Sequence, residues 1–67
     1  MIEITNKQRS PVQVLVRSKK KLRAFTTLII PGRGAGKNVV VIADEDATDY
    51  IGKIEDIGLI STRRIKN

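Results

Sequence analysis

The chain contains no cysteine, no histidine and no tryptophan, and its aromatic content is one phenylalanine and one tyrosine. Without cysteine there is no disulfide framework and no thiolate metal site. Without cysteine or histidine, the hydroxyls and carboxylates that remain have no visible catalytic partner. Sixty-seven residues also leave little volume for a pocket. The expectation is therefore a protein that is not an enzyme, with no catalytic residues, no metal site and no cofactor. Two aromatics cannot build the base-stacking platform of single-strand binders on small β-folds. No apolar run approaches the roughly 18–20 residues of a membrane span. The opening "MIEITNKQRS" has no signal-peptide core. The compartment expected is the cytosol, or something assembled there, with no membrane partner.

Acidic residues are nearly missing from the first 43 positions, which hold nine basic side chains and only Glu3, giving +8. Residues 44–56 reverse the sign: Asp44, Glu45, Asp46, Asp49, Glu55 and Asp56 against Lys53 give −5. The last eleven residues add Arg63, Arg64 and Lys66, giving +3. A free nucleic-acid binder usually shows a single basic field. A bipolar chain also suits contacts in which a basic surface meets an acidic one, including head-to-tail contacts between copies.

One segment hints at chemistry. "IPGRGAGKN", Ile30–Asn38, has three glycines, an arginine and a lysine. A phosphate-binding loop needs glycine five positions before its Gly-Lys pair, a hydroxyl after the lysine, and a helix to follow. Here those places are Pro31, Asn38 and the β-branched run "VVVIA". The segment reads better as a strand-to-strand connection, with Pro31 setting φ and the glycines free to turn. Arg33 and Lys37 are then exposed cations, open to an anion or to a partner's carboxylate.

The periodicity gives the architecture. "IEIT", "VQVLVR" and "FTTLII" read as strands, and "VQVLVR" places Val12, Val14 and Val16 on one face. "NVVVIA" reads as a strand buried on both faces. "NKQRSP" is a turn and "SKKKLR" a charged connection. From Asp44 the spacing becomes helical, with Ala47, Tyr50, Ile51, Ile54 and Ile57 on one stripe, Asp44 or Asp46 as N-cap and Gly58 just past the end. Gly52, in mid-helix, marks a close packing contact. Tyr50 and Phe25 are assigned to the core. "LISTRRI" closes the chain as a short strand or extended tail. The fold class expected is α+β: a small, mainly antiparallel sheet or partly open barrel of four or five short strands, with one helix of the C-terminal half packed on it, in a single domain spanning 1–67.

The candidate contact residues are charged. Arg17, Lys19, Lys20, Lys21 and Arg23 put five positive charges in seven residues. A partner protein's acidic surface is the first reading, a solvated hairpin tip the second, and phosphates the third. Arg33, Lys37, Arg63 and Arg64 extend the basic set. Asp44, Glu45 and Asp46, with Asp49, do not follow the calcium-loop pattern. They are read as helix-start carboxylates that also offer an acidic surface. Glu55 and Asp56 are read as solvated, with Arg63, Arg64 or a neighbouring chain as the alternative partner.

"FTTLIIPGRGAGKNVVVIADEDATDYIGKIEDIGLIS", Phe25–Ser61, resembles small accessory proteins and modules encoded in the structural-gene blocks of tailed bacteriophages and Mu-like prophages. The shared pattern is a strand, an acidic turn, a short helix and a closing "GLI"-like extended segment. It carries no catalytic signature and transfers no functional residues. The resemblance implies a virion component in many copies, a capsid decoration or head–tail accessory protein. It would be assembled in the host cytoplasm and contact capsid or other virion proteins and copies of itself. A nucleic-acid-binding or regulatory protein is the alternative, and an inhibitor of one host protein a third reading.

Overall fold

The computed structural model describes residues 1–18, 24–34 and 36–65. Within them the chain forms β1 (Ile2–Asn6), β2 (Val12–Arg17), β3 (Phe25–Ile30), β4 (Val39–Ile42), a 3₁₀ turn (Asp44–Asp46), α1 (Asp49–Asp56) and β5 (Ile60–Arg64). The strands make two antiparallel sheets, one ordered β4-β1-β5 and the other the β2–β3 hairpin. This is the expected α+β fold. The terminal strand pairs within the chain, Glu3 opposite Arg63 and Ile4 opposite Thr62.

Alternation sends one set of side chains from each sheet inward. Ile4 and Ile60 from one sheet meet Val12, Val14, Val16 and Ile30 from the other, and Ile51 and Ile54 of α1 complete the core. The helix packs against β2 and β5, and so covers the side of the core where those two edges face each other.

The helix is shorter than its sequence signal. Asp44–Asp46 form a separate 3₁₀ turn, and the residue that precedes α1 is Thr48, in extended conformation. Asp44 and Asp46 are therefore not its caps, and Asp44 instead meets the Met1 amino group at 3.0 Å. The far end follows the sequence. Gly58 has φ 87°, its N–H donates to Glu55 C=O, and Leu59 N–H donates to Ile54 C=O at 3.1 Å. This is the paired-bond helix stop that a left-handed glycine permits. Ile57 lies past the last turn and is 70% exposed, so it leaves the core stripe.

Two other expectations change. β4 is covered on one face only: Val40 lies opposite the buried Ile4, so Val41, opposite Glu3, faces outward and is exposed. Gly52 has open space where a Cβ would stand, so no close contact requires it. Gly52→Ala is expected to stabilise the protein by about 1 kcal/mol through helix propensity alone. A higher urea midpoint at unchanged m-value checks it.

Candidate protein-docking surface

The outward face of the hairpin carries Gln13, Leu15 and Arg17 of β2 opposite Ile29, Thr27 and Phe25 of β3. Strand parity decides this. Leu28 and Ile30 go inward, so Phe25 and Ile29 go outward, where they are 53% and 59% exposed. The Arg17 guanidinium carbon lies 5.9 Å from the centre of the Phe25 ring. Tyr50 is 39% exposed and lines a shallow hollow with Leu15, Arg17 and Phe25. Both aromatics of the chain thus border one surface, and the core assignment of each is corrected. Phe25 belongs to the outward parity of β3. Tyr50 is displaced from Ile51 by about 100° around the helix.

The sheet edges are unequal. Ser18 N–H donates to Ala24 C=O at 2.9 Å, which fixes the alternation of bonded pairs along the hairpin. The backbone groups of Gln13, Leu15 and Arg17 therefore point away from β3, and those of Phe25, Thr27 and Ile29 point away from β2. In the other sheet, Lys7 N–H bonds Leu59 C=O and Asn6 N–H bonds Asn38 C=O. By the same alternation, Thr62 points outward from β5, and Val39 and Val41 outward from β4.

Side chains from the helix unit bond two of these edges. Thr48 Oγ1 donates to the outward C=O of Leu15 at 2.6 Å. Glu55 Oε2 accepts the outward N–H of Thr62 at 2.8 Å and its hydroxyl at 2.7 Å. Glu55 is therefore not a solvated carboxylate, and its partner is a backbone edge rather than an arginine. Glu55→Ala is expected to cost about 1–2 kcal/mol, because a charge-assisted bond to a partly buried N–H is lost. An unchanged urea midpoint would contradict this.

The outward backbone groups of β3 and β4 have no such partner among the described residues. Between these strands lies a groove of about 570 Å³, lined mainly by apolar side chains including Val16, Leu28, Val41 and Ile42, with Arg17 and Asp46 also on its wall. It exists because no ladder joins the two sheets there, and it is larger than the chain length suggested.

The charged candidates divide. Lys19, Lys20, Lys21 and Arg23 lie outside the described residues. Arg17 is exposed, beside Phe25. Arg33 and Lys37 are exposed at the opposite end of β3, in the 31–38 connection, which leads into a strand and not a helix. Sequence reasoning missed two neighbours there. Arg33 N–H donates to Gln8 C=O at 2.8 Å, which brings the exposed Lys7 and Arg9 to the same end. Composition gave no signal for it, since the contact spans two turns far apart in the chain. Asp44 and Glu45 are exposed on the 3₁₀ turn, and Asp46 is half-buried. Arg63 and Arg64 are exposed but project from opposite faces of β5, so they form no single patch. Arg63 is 3.4 Å from Glu3, its cross-strand neighbour. Among the described residues no three metal-ligating side chains cluster, and no helix is long and apolar enough to cross a membrane.

Comparison with protein-family models, with curated proteins and with solved structures found no match.

Proposed function

We propose that this protein is a non-enzymatic structural component of a tailed-phage particle. It acts as a capsid decoration or head–tail accessory protein, docking in many copies on virion proteins after assembly in the host cytoplasm. The observation that carries the docking reading is the outward hairpin face. Phe25 and Tyr50 stand exposed together beside Leu15, and Ile29 is exposed further along the same face of the hairpin, in a chain with only two aromatics. Aromatic and apolar side chains gathered on a surface mark an interaction site more often than scattered ones do. The virion assignment rests on the resemblance carried by Phe25–Ser61. The segregated charge is compatible with neighbours meeting basic against acidic, and repetition would raise a modest affinity per copy.

A nucleic-acid-binding role is the second reading, favoured by one observation: Arg17 and an exposed Phe25 lie together on the hairpin, as base stacking would use them. Sedimentation of the native protein from its source lysate, with and without nuclease and at low and high salt, separates the two. Travel with virion-sized particles after nuclease supports the structural role. Sedimentation with nucleic acid and release by nuclease sink it.

A further inference from the structure

We infer that the outward edge of β3 is a strand-addition site. Its occupant is an extended segment of a partner protein, apolar at alternate positions and carrying carboxylates at both ends. This rests on the reading of the protein as one that docks on a protein assembly, and names the contact.

Among the described residues, four strands border no further strand on one side: β2, β3, β4 and β5. The helix unit bonds an outward group on β2 through Thr48 and on β5 through Glu55. Bonds of this kind blunt an edge against pairing. β4 is short and offers only Val39 and Val41. β3 offers the N–H and C=O groups of Phe25, Thr27 and Ile29 in one row, on a six-residue strand without proline or inward charge. Its β-branched and aromatic composition suits pairing.

The side chains of an added antiparallel strand would alternate. One set falls toward the groove, against Leu28, Val41 and Ile42. The other lies beside Phe25, Thr27 and Ile29 on the outward face. Charge chooses the ends. At the Phe25 end stands Arg17, and at the Ile30 end stand Lys7, Arg9, Arg33 and Lys37. A segment with acidic ends fits both. A second copy fits poorly, because antiparallel β3–β3 pairing sets each basic end against the other basic end.

The test uses the ¹⁵N-labelled full chain and a synthetic capped peptide of alternating valine and threonine with a pair of glutamates at each end. Titration is expected to shift the amides of Phe25, Thr27 and Ile29, slow their hydrogen exchange, and weaken with salt. With the valines in the groove, the threonine N–H groups face β3. N-methylating the threonines is therefore expected to weaken binding about tenfold or more, and N-methylating the valines far less. Thr27→Pro, which removes an outward N–H that the hairpin ladder does not use, is expected to weaken the parent peptide similarly. The N-methyl contrast stands even if that variant fails to fold.

No shift at these three amides overturns the inference, and so do equal effects of the two methylation patterns. Displacement of the peptide by oligothymidylate with shifts at the same amides assigns the edge to nucleic acid and also overturns it. So does concentration-dependent self-association that protects these amides without peptide. If the peptide fails while the native protein still sediments with nuclease-treated particles, strand addition falls and the docking reading stands. If the protein instead sediments with nucleic acid, the docking reading falls with it.

Discussion

Replacing Asn6 with alanine is expected to destabilise the protein by about 3 kcal/mol or more, since one buried and three partly buried hydrogen bonds are lost at once. Asn6 is fully buried at the end of β1. Its Nδ2 donates to the carbonyls of Ser10 at 2.9 Å, Ile30 at 3.1 Å and Pro31 at 3.2 Å, and its Oδ1 accepts Gln8 N–H at 2.8 Å. One side chain thus ties the first sheet to the 7–11 turn, to the end of β3 and to the start of the 31–38 connection. A chain of this size holds roughly 3–10 kcal/mol in total, so the loss is a large share of its stability. Asn6→Asp is the sharper variant. It conserves shape but faces three carbonyls with an oxygen, so it is expected to do at least as much harm as alanine. Urea unfolding of both variants checks this, and a mild Asn6→Asp would show that shape, not the amide donor, holds the junction.

Gly32→Ala is expected to be as damaging, or to prevent folding. A Cβ at this position would stand 1.9 Å from the Arg9 carbonyl oxygen and 2.4 Å from its carbon. Both atoms are backbone, held in place by the Arg33–Gln8 bond and by Asn6. Overpacking typically costs about 1–3 kcal/mol, and a backbone clash that cannot relax by rotation lies at the top of that range or beyond. Gly34→Ala is the control. Its φ of 87° strains an alanine, but the space is open, so a cost of about 1 kcal/mol is expected. Thermal unfolding of the two variants side by side decides it. Similar melting temperatures would contradict the close approach at Gly32.

The periodic elements were legible because alternation and helical spacing are local. The bounds of β2 and β3 follow from "VQVLVR" and "FTTLII", and the helix stop follows from Gly58. What pairs with what was not legible. The "NKQRSP" turn looked ordinary, yet its first residue is the buried junction, because its partners arrive from 24 and 25 positions away. The glycine that matters in "IPGRGAGKN" is Gly32, for its distance from Arg9 rather than for turning. Phe25 and Tyr50 looked like core because apolar content is visible in a sequence and strand parity relative to a partner is not. Glu55 looked solvated because the edge it bonds is set by the β1–β5 register. The charge map was legible as a sum, but not as an arrangement that separates Arg17 from Arg33 and Lys37 along β3 and sends Arg63 and Arg64 to opposite faces.

The sheet edges are unequal: the helix unit bonds one outward backbone group on each of β2 and β5, and none on β3. Amide hydrogen exchange of the free protein, resolved by residue, tests this most directly. Thr62 N–H points away from β1 and bonds Glu55, so it is expected to exchange slowly and to lose that protection in Glu55→Ala. The amides of Phe25, Thr27 and Ile29 are expected to exchange near the unprotected rate, while those of Thr26 and Leu28, inside the hairpin ladder, exchange slowly. Protection spread evenly along β3 in the free protein, or a fast Thr62, would contradict it.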